Sequence, residues 1–566
     1  MRRITTLLLL SALAGPLMPA MAFSGGTGTA ADPFQICTAQ DLQEVSSYAG
    51  VTGYYFKVMN DIDLTDYVAE QAWAPIGDMM SNFDGNNKVI SGLVISNGAN
   101  NAGLFNQLHD PGVIRNVIIR NADIIAGNWS GILVGAAGNW ERSGGLIENC
   151  RVYDSFIEGG DCIGTITGVS ENTIRNCVAY NVEVSATGVA GGISGFAQSR
   201  GAGTQSITGC MFHGNITGGN RVGGIAGLFS YPEGTSAYSL TNNAVYGTVI
   251  GVEAVGGLVG YQQGQRNIHI DNNMCCAFVS GYQVGGIGGS PIDGVVNNCY
   301  AMGNVVGLTG DMPWNGGICA TAYNTISNCY FAGALTGEGE SQFLGAICGR
   351  DWQVANPLIL FNNYFDADKS AKAFGENSEP ESYGKGMLAE EMMSLSTMVF
   401  TDPSKWQCQE GETYPYFANQ TAPVVITRCD DTGAEGTYYG DAAPTQMYCW
   451  GAITGGMSDA TFTAANGTWR ITWGEDGIVP KDEIFIVAQA GDLMPSYVVS
   501  AVATEGTEQP IEGDVDGNGS VGIEDVNAVI NVMLGKAENA LADVNGNGSV
   551  GIEDVNAVIN IMLGKS

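Results

Sequence analysis

ITGCMFHGNITGG (207–219) followed by GGIAGLFS (223–230) is one unit of a pattern that recurs across residues 90–366. The first element returns as IENCRVYDSFIEG (147–159), IRNCVAYNVEVSA (174–186), VVNNCYAMGNVVG (295–307) and ISNCYFAGALTG (326–337). The second returns as GILVGAAG (131–138), CIGTITGV (162–169), GGISGFAQ (191–198), GGLVGYQQ (256–263) and GGIGGS (285–290). These are short strand-forming runs separated by turn residues. Aligning the cysteines gives steps of 27 residues (Cys150 to Cys177), 33 (Cys177 to Cys210) and 30 (Cys299 to Cys329). A variable step near thirty belongs to a parallel β-helix coil more often than to a propeller blade of similar period. One coil cannot bury its own apolar face, and stacking the coils builds a continuous core. About nine coils spaced by roughly 4.8 Å form a rod on the order of 43 Å long.

The glycine pairs bring backbones together and make sharp corners that other residues enter only with strain. The units resemble the GLUG repeats of secreted bacterial adhesin-like proteins. FQICTAQD (34–41), YFKVMNDIDL (55–64), WAPIG (73–77) and FDGNNKVISGLVI (83–95) resemble the opening region of such proteins, and WQCQEGETYPYF (406–417) resembles their closing segment. The resemblance spans residues 30–420 and implies a parallel β-helix; it leaves the chemistry open, because the family is defined by its repeat.

Fourteen cysteines could suggest a disulfide framework. Five of them (Cys150, Cys177, Cys210, Cys299 and Cys329) share one repeat position and are expected to stack as a buried column of small apolar side chains. Cys429 and Cys449 fall in one small segment and are the better disulfide pair; Cys275 and Cys276 receive no assignment. Residues 421–505 break the repeat with APVVITRC, ATFTAANGTWRITW and EIFIVAQA, separated by turn residues, which predicts a small β-sandwich acting as spacer or binding module. Trp450, Trp469 and Trp473 could face a sugar ring, although core is the commoner fate of such residues.

The tail carries one unit twice: GSVGIEDVNAVINVMLGK (519–536) and GSVGIEDVNAVINIMLGK (548–565) differ only at Val532 and Ile561. Each copy follows an acidic loop. Counted from its first Asp, the first loop offers Asp514, Asp516, Asn518, Ser520 and Asp525 at positions 1, 3, 5, 7 and 12; the second offers Asp543, Asn545, Asn547, Ser549 and Asp554. Side-chain oxygens at alternate positions, a backbone carbonyl at position 7 and a glycine (Gly519, Gly548) at position 6 are what a hard cation with six to eight oxygen ligands needs. Asp at position 12 is shorter than the usual Glu, so the helix must start closer to the metal. Val526, Val529, Ile530 and Met533 then form an apolar helix face opposite Glu524, Asn527 and Asn531, with Gly535 and Gly564 as stops. Residues 503–513 are polar and contain Pro510, so no helix enters the first loop.

This loop–helix pair closely resembles a type I dockerin over residues 513–566. The resemblance implies a module that folds around two Ca²⁺ and docks onto a cohesin-like protein. Many dockerins carry a hydroxyl pair for recognition just after the loop glycines; here those positions are Ile523-Glu524 and Ile552-Glu553, which leaves the partner's identity open.

Arg2-Arg3, the apolar run ITTLLLLSALAG and the cleavage-type triplet Ala20-Met21-Ala22 mark residues 1–22 as a secretory signal. It is too short to be a membrane span, and no later uncharged apolar run is long enough for one, so a soluble, secreted or surface-held chain is expected. A net charge of −35 with only 22 Lys+Arg argues against nucleic acid and anionic membrane as partners. Charged residues make up only 14% while Gly numbers 82 of 566, which favours stacked strands with tight turns over helices.

The expected order is a signal peptide (1–22), a β-helix (30–420), a small β-sandwich (421–505), a linker (506–512) and a dockerin-like calcium module (513–566). The expected function is that of an adhesin-like binding protein, with a glycan or host-surface ligand on the β-helix and the tail as tether. The alternative is a dockerin-bearing carbohydrate-active enzyme, a polysaccharide hydrolase or lyase; a passive spacer is the third reading. Hydrolysis needs two carboxylates about 5–9.5 Å apart. The solenoid's acids (Asp110, Glu148, Asp154, Asp161, Glu171, Glu183, Glu253 and Asp271) are scattered, and no Lys lies between Lys88 and Lys369, so no catalytic residue is assigned. Of the three histidines, His109 adjoins Asp110, and His213 reads as a strand residue.

The first calcium loop holds three ligand carboxylates (Asp514, Asp516, Asp525) and the second two (Asp543, Asp554). Ligand charge tunes affinity, so calorimetry with Ca²⁺ is expected to resolve two unequal sites, the second weaker. Two equal sites, or a tighter second one, would contradict the count.

Overall fold

The computed structural model describes residues 23–139, 141–198, 205–230, 238–263, 268–290, 292–310, 313–339, 343–351, 358–375, 383–474, 477–504, 513, 515–516, 521–537 and 539–563. The signal segment and the linker lie outside them. The fold is mainly β, a solenoid of about nine turns, with short helices toward the C-terminus. Its first face is a parallel sheet of 12 strands running from Phe34–Ile36 to Ile359–Phe361. The pairings reproduce the repeat steps: Arg151 faces Val178, Val178 faces Met211, and Tyr300 faces Tyr330.

From Val113–Arg115 onward, each coil leaves the first face through one left-handed residue. Asn116, Asn149, Asn176, Asn242, Asn272, Asn298, Asn328 and Asn362 hold φ between 47° and 60°, and Gly209 (φ 65°) takes the same place in the coil that reads ITGC. Asn and Gly are the residues that enter this region most cheaply. The next position is the cysteine column. All five cysteines are buried and free, as their shared repeat position predicts. Where the column lacks Cys it carries Val117, Asn243, Asn273 and Asn363. Asn243 Oδ1 accepts from the Cys210 N–H (2.9 Å), Asn273 Oδ1 from the Asn243 N–H (2.9 Å), and Asn363 Oδ1 from the Cys329 N–H (3.1 Å). The amides thus satisfy backbone N–H groups of the preceding coil, a place that Cys329 Sγ fills for the Cys299 N–H at 3.4 Å.

The chain then runs along a second face, whose longest strands are Arg151–Gly159 and Val178–Ala186. Glycine corners lead to two short faces, where the central residues of the repeat motif (Ile132, Ile166, Ile193, Ile225 among them) fill the core and are inaccessible to solvent. A side chain at Gly195 would place its first carbon 2.4 Å from the Cys162 carbonyl carbon of the preceding coil, which is why only glycine fits there.

After the last parallel strand, Lys385–Met387, the chain doubles back along the outside of the second face. Two antiparallel sheets follow, one of Val425–Asp430, Gly433–Thr437, Thr468–Thr472 and Thr461–Ala465, the other of Gly455–Gly456, Gln446–Gly451, Glu483–Gln489 and Val499–Val502. Their shared core contains Trp469, Trp473, Ile471, Ile484 and Ile486. The indoles of Trp469 and Trp473 donate to Thr437 O (3.0 Å) and Asp430 O (2.7 Å), so both are core residues. Cys429 and Cys449 pack in that core from different sheets, and both thiols are free. The expected disulfide is thereby corrected: apolar packing, not covalent closure, accounts for their burial.

The returning segment and the two antiparallel sheets pack against an outward ladder of tyrosines on the second face. Tyr180 donates to Cys449 O, Tyr246 to Ser496 O (2.5 Å), Tyr330 to Pro415 O (2.6 Å) and Tyr364 to Val399 O (2.9 Å). Tyr300 bonds Gln420 and stacks on Tyr330 with centroids 4.8 Å apart. Met211, Met274, Trp406, Phe417 and Met494 fill the space between, forming a second apolar core outside the solenoid. His213, in the strand Met211–Thr217, is buried there between Tyr180 (4.8 Å) and Trp450 (4.2 Å), and its Nδ1 accepts the Asn181 N–H at 3.2 Å.

Desolvation holds the His213 pKa down at about 3. In the unfolded chain it titrates near ~6.5. The unfolded state binds a proton that the fold refuses, so this contribution is intact above about pH 6.5 and is lost progressively as pH falls toward the folded value. The loss is expected to reach on the order of 4 kcal/mol at pH 3. Denaturant unfolding at pH 7 and pH 4 measures it, and His213→Phe should flatten the dependence; equal slopes in both proteins would refute the assignment.

Candidate metal centre

DVNGNGSVGIED (543–554) closes on itself and leads into the helix Ile552–Met562. Gly546 (φ 68°) and Gly548 (φ 87°) make the turns, the latter at the expected position 6. Asp543 accepts the Asn547 N–H on Oδ1 (3.0 Å) and the Gly548 N–H on Oδ2 (2.7 Å). Asn545 Oδ1 accepts the Asn547 N–H (3.0 Å), and Asn547 Oδ1 accepts both the N–H (2.9 Å) and the hydroxyl (2.7 Å) of Ser549. Asp554 reaches back from the helix to the Asn545 N–H (3.1 Å) and the Gly551 N–H (2.8 Å). Side-chain oxygens from positions 1, 3, 5 and 12 therefore all turn toward the loop backbone.

Asp554 is inaccessible to solvent. Burial raises its pKa, but the N–H groups of Gly551, Asn545 and Val544 outweigh that and hold the carboxyl below its ordinary value. It is thus kept ionised, the form a cation requires. In the first loop, Asp514, Asn518 and Ser520 lie outside the described residues. Asp525 repeats the arrangement of Asp554, accepting the N–H groups of Val515 (2.7 Å), Asp516 (2.9 Å) and Gly522 (2.8 Å), and its pKa is lowered for the same reason. The donor set is all oxygen, and each carboxylate keeps lone pairs beyond those its N–H partners use. That set fits a hard cation such as Ca²⁺ rather than a thiolate- or imidazole-seeking metal.

The two helices, Ile523–Met533 and Ile552–Met562, pack through Val526, Val529, Val555 and Val558 over Val515 and Ala542. Ile530 is half-buried, while Met533 is exposed, contrary to the apolar face read from the sequence. The small core sits at the loop ends of the helices, and the face runs past it. Gly535 (φ 66°) ends the first helix as expected; Gly564 lies outside the described residues. Large apolar groups remain on the surface in matching pairs: Ile523 and Ile552 are 57% and 56% exposed, and Leu534 and Leu563 are each 56% exposed.

In the solenoid, Glu148 is paired with Arg175 (2.8 Å), Asp154 with Arg120 (3.0 Å) and Asp271 with Lys405 (3.3 Å). These acids tie neighbouring coils or segments together. His109 is buried 4.0 Å from Asp78, and desolvation lowers its pKa. A groove of about 600 Å³ between the second face (Arg120, Arg151, Tyr153) and the sandwich (Gln446, Tyr448, Gln489) was not foreseen from the repeats. It exists because the sandwich lies along the solenoid; alternate tyrosines in the long strands were the available signal.

Asp554→Ala would strand the Asn545 and Gly551 N–H groups, at about 1–3 kcal/mol each. Circular dichroism should show loss of helix even with Ca²⁺ present. Asp554→Asn keeps the shape but not the charge, and should lower calcium affinity while sparing more of the helix. Native helicity in the Ala variant would contradict this role.

Residues 512–563 match the dockerin type I domain. Over 138 residues the chain is 38% identical to a protein of Evansella cellulosilytica provisionally named a Gly-rich membrane protein, covering 23% of this chain and 15% of that one. Over 160 residues it is 28% identical to Halomucin of Haloquadratum walsbyi, covering 26% and 2% respectively. The matched parts are thus a small fraction of these relatives' length. A crystal structure of a protein from Bacteroides ovatus, provisionally named an immunoglobulin A1 protease, aligns over 70% of this chain and 95% of its own at 21% identity, with a TM-score of 0.31. No helix among the described residues is long and apolar enough to cross a membrane. The tail, at residues 512–563, is a type I dockerin domain, a module that binds calcium and cohesins, carried by a chain whose body is a β-solenoid.

Proposed function

We propose that this is a secreted or surface-held, adhesin-like binding protein. Its tail is ordered by two Ca²⁺ ions and docks to a cohesin-like partner, while the solenoid presents the face that grips a glycan or host-surface ligand. Asp514, Asp516, Asn518, Asp525 and the Ser520 carbonyl hold one ion; Asp543, Asn545, Asn547, Asp554 and the Ser549 carbonyl hold the other. The observation that carries the docking half is the duplicated surface: Ile523 and Leu534 recur as Ile552 and Leu563, each more than half exposed, on helices anchored by the calcium loops. Exposed apolar groups on so small a module mark a protein contact. The apolar-acidic pairs Ile523-Glu524 and Ile552-Glu553 favour a partner with an apolar groove rimmed by basic groups. The signal-type N-terminus and GLUG-like repeats support export and adhesion. Commitment of Glu148, Asp154 and Asp271 to ion pairs supports binding over polysaccharide hydrolysis.

The test is capture of the full chain on an immobilised type I cohesin, with Ca²⁺ and with EDTA. Capture is expected only with Ca²⁺, and Ile523→Glu combined with Ile552→Glu should weaken it at least tenfold, which corresponds to about 1.4 kcal/mol. Capture that survives EDTA, or failure to bind in Ca²⁺, would overturn the docking role.

A further inference from the structure

We propose that a cavity on the outer seam of the solenoid, beside Trp129, takes one neutral pyranose ring of a glycan; this rests on the glycan-binding reading above and gives it a place. The cavity measures about 190 Å³. That is well below the usual range of about 300–1,000 Å³ for ligand pockets, and it suits one ring with the rest of a chain left in solvent. Its floor is built in register across successive coils: Gln107 faces Ala136, Ala136 faces Val169, and Val169 faces Phe196. The site is thus part of the solenoid framework, not of a loose loop.

Trp129 closes one side and is 44% exposed. It holds φ 57°, a conformation that bulky residues avoid. The Trp129 N–H donates to Asp161 O of the next coil at 2.8 Å, which ties the residue into the coil stack. Strain of this kind persists only where surrounding structure enforces it, and it concentrates at binding sites. Here it falls on a partly exposed indole.

Asn101, Gln107 and Asn139 border the cavity, with Asn139 Nδ2 donating to Gln107 Oε1 at 3.3 Å, but the surface they leave to it is almost wholly apolar. Glu171 is buried in the wall with its carboxyl accepting from Gln198 Nε2. A pyranose has one face of polarised C–H groups, which the negative face of an indole attracts and an apolar cavity accommodates, while its hydroxyls stay at the rim and in solvent. A chain of net charge −35 repels uronates, so the ring is a neutral hexose or pentose.

The test uses the full chain in Ca²⁺, with cellohexaose, xylohexaose and mannohexaose as neutral probes and tri-galacturonate as the acidic one, read by calorimetry and tryptophan fluorescence. At least one neutral probe should bind, and more tightly than the acidic one. Trp129→Ala should lose at least tenfold in affinity, and Trp129→Phe should recover part of it, with thermal unfolding checking that both variants fold. Binding unchanged in Trp129→Ala would put the sugar elsewhere and overturn the site. Preference for tri-galacturonate would overturn the ligand class, and failure of every neutral probe would overturn both. Cohesin capture by the same preparation is read separately, so failure here and failure of the docking role remain distinct.

Discussion

From Val113 onward every coil turns at one corner through a left-handed residue, and the rest of the molecule depends on that repeated constraint. Eight asparagines and one glycine meet it in nine coils. A β-branched residue there would pay a steric penalty in each coil. Because the corner recurs at the same place, the following residue always enters the core and the residues after it alternate in fixed phase. The thiol column, the buried amides of Asn243, Asn273 and Asn363, and the outward tyrosines all follow from this phase. A corner displaced by one residue would move the tyrosines inward and the cysteines outward.

The outward tyrosines explain why the sandwich is not a bead on a string. A strand apolar on both sides must be covered on both sides. The solenoid core covers one; residues from Met387 to Tyr497 cover the other. Phenol hydroxyls would make that cover costly unless each found an acceptor, and Tyr180, Tyr246, Tyr330 and Tyr364 each find a backbone carbonyl in the returning chain. The bonds thereby set where the sandwich lies as well as that it lies there, and the groove beside Arg151 and Tyr448 is a consequence of that placement.

What was legible in the chain was what repeats. The 27-, 33- and 30-residue steps reappear as strand register, and the shared cysteine position reappears as a buried column. The turn at Gly548 in the second tail loop was legible too, because it is a local feature whose geometry needs no distant partner. What depended on distant partners was not. Cys429 and Cys449 are close in sequence, and only their placement in different sheets shows that packing buries them. Met533 satisfies the helical period, yet the neighbouring helix does not extend its core that far. Trp129 is tied to the next coil by the hydrogen bond from its N–H to Asp161 O, a relation that strand register defines and composition does not.

The two halves of the chain differ in what holds them. The solenoid core runs unbroken from Phe23 to Phe374, and its coils support one another through apolar packing. The tail's buried cluster comprises Val515, Val526, Val529, Ala542, Val555 and Val558, with partly buried neighbours. A module of about 50 residues with so small a core falls in the size range that ordinarily needs a metal or disulfide, and its loops carry carboxylates that repel one another unless a cation lies between them. Calcium therefore bears on the tail through its loops, while the solenoid rests on a continuous apolar core that those loops do not touch. The two parts share a chain but not a source of stability.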